Sequence, residues 1–357
     1  MQPLKIAELA LPQYLRHFSV LIVATYFLAF GSASSAVEKG NTAGNAIANT
    51  VAVLLSEPGG YYREFFDALN RSLEENSSAS KRLRVLELAN GQGQGQGRPD
   101  EASLAGVNII IAVGVQAMRI VASWEGVPPI LNVLVPKASY EKLLAENANN
   151  GGNSRRRTQF SAIFIDPPPA RQARLIHQIL PGKRRISALL GPDSSLLLPP
   201  LRLSFRQVGL ELLVEEVMHE KEIIPALARL MNSSDAFLAL PDSVVFTRDT
   251  IRSVLLTAYR YQRPLIGFSQ AYVTSGALAA TFSTPQQIAR QTAELLKAMP
   301  PGSTTLTAPL YPEYFSVAVN RSVARALTLD IPDDASLQEA LSALPESKQC
   351  PASPQYC

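Results

Sequence analysis

"FLALPDSVVFTRDTI" (Phe237–Ile251) changes character halfway along. The apolar run Phe237–Leu240 has the composition of a strand buried on both faces, and Pro241-Asp242-Ser243 stops it. Beyond the bend, Ile251, Val254, Leu255 and Ala258 fall at i, i+3, i+4 and i+7, the stripe of an amphipathic helix. A buried strand, a polar bend and a helix make half of a parallel β-α-β unit, because parallel neighbours need a crossover and a helix supplies it. The bend is expected to aim the Asp242 carboxylate and the Ser243 hydroxyl into a gap at the strand's carboxyl end. On that reading Asp242→Ala weakens ligand binding and spares folding.

The same alternation runs outward from this stretch. "TVAVLLSEPGGYYREFFDALNRSL" opens with a continuous apolar strand and continues as a helix with its stripe on Tyr62, Phe65, Phe66, Leu69 and Leu73. Strands are expected at 82–88, 108–114 and 128–136, with "AMRIVASW" as a helix between the last two. The polar, Gly-rich "NANNGGNSRRRTQ" (147–159) has linker composition, and the alternation then restarts with strands at 161–166, 185–191, 209–217 and 235–240. Thr284, Pro285 and Gln287 spell a helix start, with a hydroxyl cap, proline at the first helical position and the reciprocal Gln of a capping box. A last strand and helix follow in "PEYFSVAVNRSVARAL", and the tail beyond Pro332 is expected to be peripheral. The fold class is α/β, with two Rossmann-like lobes of parallel sheet.

At 357 residues, 46% hydrophobic and 18% charged, the chain can fill two cores. Its net charge of +3, from 33 basic and 30 acidic residues, gives no reason to expect a nucleic-acid partner. Lys5 and Arg16 precede the apolar "FSVLIVATYFLAFG" and the small residues "SASSA", the layout of an export signal over residues 1–36, or of an uncleaved anchor. The two cysteines, Cys350 and Cys357, either close a small loop in the tail or stay unpaired. His177 and His219 have no second His or Cys at ligand spacing, so no metal is expected. "GQGQGQG" (Gly91–Gly97) misses the Gly-x-Gly-x-x-Gly register and reads as low-complexity loop, so no cofactor is expected either. No Gly-x-Ser-x-Gly frames a nucleophile, which argues against an enzyme.

In open parallel sheets ligands bind beyond the carboxyl ends of the strands, where helix N-termini present free N–H groups. The loops there are 56–62, 114–117, 166–169, 191–195, 241–244 and 268–272, rich in Gly, Ser, Gln, Asp and aromatic residues. Tyr61 faces away from the helix stripe that takes Tyr62, which makes it a cleft candidate, and Ser269 is another. Each has a plainer reading: Ser194, Ser195 and Ser243 as helix caps, Asp166 as a strand end and Asp242 as a turn former.

"SAIFIDPPPARQARLIHQILPGKRRISALLGPDSS", "DAFLALPDSVVFTRDTIRSVLLTAYRYQRPLIGFSQAYVTSGALAATFSTPQQIARQTAELL" and "EYFSVAVNRSVARALTLDIPDD" resemble the periplasmic substrate-binding proteins of ABC transporters with the type I periplasmic-binding-protein fold. The resemblance implies three crossings between lobes, near Ser161, Gly276 and Thr305. The first lobe would then be 48–160 plus 280–304 and the second 161–279 plus 305–332, with 333–357 as a polar tail. It places cleft positions at Ser56, Gln116, Asp166, Ser194, Asp242 and Tyr272. It implies a monomer that binds a small polar ligand, such as an amino acid or purine, and hands it to a membrane permease outside the cytoplasm. The alternative is a sensory or scaffold module of the envelope. "NVLVPKASYEKLL" departs from the Asp-Pro-Val-Gly-like stretch many relatives carry after the fourth strand, so no ligand transfers from them.

Overall fold

The computed structural model describes residues 50–75, 84–88, 104–149, 158–247, 249–300 and 302–343. The export-signal reading, the Gly-Gln stretch and both cysteines lie outside these residues. Among the described residues, no helix is long and apolar enough to cross a membrane.

Two sheets carry the fold. The first has the order β2-β1-β3-β4-β5, all parallel, from β1 (Thr50–Leu55), β2 (Arg84–Leu88), β3 (Val107–Val113), β4 (Ile130–Val135) and β5 (Phe160–Phe164). β1 shows why its sequence is continuously apolar. Val51, Val53 and Leu55 enter one core layer and Ala52 and Leu54 the other, so neither face can be polar. The layers are closed by α1 (Gly60–Glu74), α2 (Val115–Ala122) and α3 (Lys137–Asn149).

The second sheet has the order β11-β10-β9-β8-β6-β7, from β6 (Arg185–Leu190), β7 (Glu211–Glu216), β8 (Ala236–Leu238), β9 (Leu265–Gly267), β10 (Ala279–Phe282) and β11 (Ser316–Val319). Only β10–β11 is antiparallel, because the chain re-enters this lobe from the other one before β11. Around it lie α4 (Pro169–Ile179), a 3-10 turn (Ser194–Leu197), α5 (Leu198–Gln207), α6 (Glu220–Ser233), α7 (Ile251–Arg260) and α8 (Gln270–Ser275). The edge strand β7 carries Glu211, Glu215 and Glu216, charges that discourage a foreign strand from pairing there.

After β10, α9 (Pro285–Ala298) returns to the first lobe and lays Ile288, Ala289, Ala293 and Leu296 into the core with Phe65 and Leu69 of α1. The Thr284–Gln287 capping box that starts it forms as the sequence spells it, with reciprocal bonds of 3.2 and 2.9 Å. The chain then crosses back into β11, α10 (Arg321–Ala326) and α11 (Asp334–Ser342).

The lobe boundaries shift from those implied by resemblance. Ser161 lies within β5 of the first sheet, so the first crossing comes at 165–168. Gly276 precedes β10, which still belongs to the second sheet, and that crossing falls at 283–284. Thr305 lies before Leu310, whose backbone pairs with Ala162 and Phe164 of β5 at 2.8 and 3.0 Å, so the third crossing is 311–315. Residues 333–343 are not peripheral either. Leu337 and Leu341 of α11 are 2% and 0% exposed in the second lobe's core, an i, i+4 pair too short to stand out from the polar residues around it.

Candidate functional site

Four helices begin at one place. The starts of α1 at Tyr61, α2 at Val115, α8 at Ser269–Ala271 and α9 at Thr284–Gln286 line a cavity of about 660 Å³ between the lobes. Its floor is Leu134 and Pro136 at the end of β4, its hinge wall is Ile165–Pro167, and Phe268 and Phe282 add rings to those of Tyr61 and Tyr62. Asp166 and Glu64 supply its carboxylates. Among the described residues, no Lys or Arg lines it.

Local backbone chemistry makes this geometry. Gly114, just before α2, has φ 87°, and a Cβ there would lie 2.6 Å from both the Ser56 hydroxyl and the Tyr62 ring. Only glycine fits. Leu134 has φ 55° where the register between β4 and β5 slips, so a bulge turns its side chain onto the cleft floor at a backbone cost of about 1–3 kcal/mol.

The structure divides the eight candidates. Tyr61, Asp166 and Ser269 line the cavity together. Tyr61 donates its hydroxyl to the Ser283 carbonyl at 3.2 Å, a bond from α1 to the second crossing, and burial pushes its pKa up to about 12. Asp166 accepts from the Lys137 N–H at 2.5 Å. Burial pushes its carboxyl up to about 6, against the pull of that backbone bond and of the Lys137 charge. Lys137 itself is 2% exposed, its ammonium 3.5 Å from Glu141 and 5.7 Å from the Tyr311 ring centre, and burial lowers its pKa.

The other five are placed elsewhere. Ser56 donates to Val113 O at 2.8 Å and accepts from Ala117 N at 3.0 Å, capping α2 from the neighbouring strand. Gln116 is exposed on α2, outside the cavity lining. Tyr272 turns into the second lobe's core, 4.5 Å from Phe268 between ring centres, with its hydroxyl bonded to Phe246 O. Phe268, four residues earlier and just before α8, lines the cavity in its place.

Asp242 departs furthest from expectation. Its Oδ2 accepts from Asp193 N at 3.1 Å, Ser194 N at 2.9 Å and Ser194 Oγ at 2.8 Å, while Oδ1 accepts from Val244 N at 2.8 Å and Val245 N at 3.1 Å. Asp193 reciprocates, taking both the backbone N–H and the hydroxyl of Ser243. The carboxylate expected to face the gap instead clasps two loops of one lobe, and Ser194 is its partner in that clasp. Asp193 also reaches across the lobes to Lys142 at 3.8 Å, an exposed pair of small worth.

Residues 168–343, just under half of the chain, match the family model described as ABC transporter substrate binding protein. A search of curated proteins gave no match. Three solved structures share the fold. A ligand-free, open substrate binding protein with adhesive properties from Clostridium difficile is 13% identical, with TM-score 0.57 over 80% of this chain and 97% of its own. A conserved domain protein from Vibrio cholerae is 21% identical, with TM-score 0.52 over 82% and 98%. The ABC domain in complex with L-Trp from Streptococcus pneumonia is 14% identical, with TM-score 0.51 over 82% and 98%. At such identities the likeness is one of fold. Two parallel-sheet lobes, three crossings and a cleft at the strand tips are the type I periplasmic-binding-protein fold, and residues 168–343 make the chain similar to ABC transporter substrate-binding proteins.

Proposed function

We propose that the chain binds a small zwitterionic molecule with a flat, apolar body in the cleft, closes over it, and passes it to an ABC permease outside the cytoplasm without chemical change. The observation that carries this is the lining: four aromatic rings and the Asp166 and Glu64 carboxylates beside converging helix starts, with no cationic side chain among the described residues. Rings stack a flat body, Asp166 suits an ammonium, and helix N–H groups suit a carboxylate, so the charges of an amino acid each meet a partner. The Streptococcus pneumonia neighbour was solved with L-Trp, in line with that chemistry.

A melting-temperature screen of the purified chain tests the ligand class, since a ligand that binds only the native state stabilises it by mass action. Aromatic amino acids and arylalkylamines are expected to raise the midpoint by several degrees at about 100 times their Kd, where the gain is about 2.7 kcal/mol. Sugars and inorganic anions are expected to leave it unchanged. A response to sugars alone would contradict the proposal.

A further inference from the structure

We propose that Asp166 is a charge gate on the hinge: ionised, it holds the empty cleft open, and a proton or a bound cation releases the lobes to close. The inference deepens the function proposed above, and it rests on closure of the two lobes.

Asp166 belongs to the first crossing and lines both the main cleft and a small cavity at the hinge. The groups packed around it come from both lobes. From the first come Lys137 and Glu141 of α3 and Tyr311 of the third crossing. From the second come Leu197, Leu201, Leu240 and Pro241, all apolar, and Gln172 of α4, which is uncharged. On the cleft side the titratable neighbours of the lining are Glu64, Tyr61 and Tyr62. The one cation in this set, Lys137, is shared with Glu141.

Part of the cover over the carboxylate is thus hydrocarbon supplied by the opposite lobe. Separating the lobes admits water, which solvates the ionised form, whereas bringing them together strips that water away. Tyr311 senses the same charge, since burial and then Asp166 raise the pKa of its hydroxyl, which has no hydrogen-bond partner among the described residues.

The sign follows from the carboxyl pKa, about 6 in the packed arrangement against an ordinary 3.8. The packed form binds the proton more tightly than an open, hydrated one. Its advantage is complete below the ordinary value and lost as pH rises through about 6. The difference of about two units corresponds to on the order of 100-fold in the closing equilibrium. At neutral pH a ligand ammonium beside Asp166 adds to the countercharge of Lys137, so the empty protein stays open while the loaded one shuts.

The test uses no ligand, so it stands or falls separately from the ligand screen. Spin labels at the exposed Arg119 of α2 and Lys221 of α6, in a full-length chain with both tail cysteines changed to serine, report the distance between lobes by pulsed dipolar spectroscopy. The short-distance population is expected to grow as pH falls from 7.5 to 5. Asp166→Asn should show the short distance throughout. Lys137→Met keeps the carboxyl but removes its cation, and should move the midpoint upward. An unchanged distribution in the parent protein would overturn the gate, as would a pH response that survives in Asp166→Asn or a midpoint unmoved in Lys137→Met.

Discussion

Asp242→Ala is expected to destabilise the chain by about 3–5 kcal/mol, because it strands several N–H groups and a hydroxyl that its carboxylate now satisfies. Three of these donors lie on the loop after β6 and two on the loop after β8, so the loss separates both loops rather than one turn. Gly191→Ala attacks the same clasp from the other side: a Cβ there would lie 2.1 Å from Asp242 Oδ1, an oxygen fixed by its own bonds. Urea unfolding with an unchanged m-value should register both losses, and ligand affinity in the folded Asp242→Ala fraction should stay within about threefold of the parent. Full stability in Asp242→Ala, with binding lost, would restore the cleft role that the sequence suggested.

The second large effect is on binding. Phe268→Ala is expected to weaken an aromatic amino-acid ligand by about 10- to 100-fold, the worth of a buried ring face plus the stacking it provides. Titration calorimetry with L-tryptophan measures it. Because Phe268 also packs on Tyr272, melting of the ligand-free variant should be recorded alongside. A loss of stability with no loss of affinity would assign the ring to the core alone.

Much of the fold was legible because its signals are local. Val51–Leu55 could only be a strand covered on both faces, Thr284-Pro285-x-Gln287 could only begin a helix, and the stripe from Ile251 placed α7. The candidate site was less legible, since a sequence shows which residues stand at strand tips but not which way they turn. Ser56, Ser194 and Asp242 are at those tips, yet each spends its polar atoms on a neighbouring loop or helix start, and Asp242 shapes its turn through the Val244 and Val245 N–H groups. Phe268 precedes α8 and Tyr272 lies in its first turn; both rings stand 6.3 Å from Phe246, and the hydroxyl bond from Tyr272 to Phe246 O ties Tyr272 into the core. The floor at Leu134 had no sequence signal at all, because its left-handed backbone comes from a bulge set by the pairing of β4 with β5. The crossings moved by a few residues for a similar reason, as Leu310 extends the first sheet through backbone bonds that any side chain allows.

The central claim is that the two lobes close over a ligand held at the strand tips. Small-angle X-ray scattering of the chain at pH 7.5, with and without saturating ligand from the melting screen, tests it most directly. A smaller radius of gyration is expected when ligand is bound, and in Phe268→Ala the same change should need about 10- to 100-fold more ligand. A ligand that binds tightly at this cleft while the radius stays the same would contradict it.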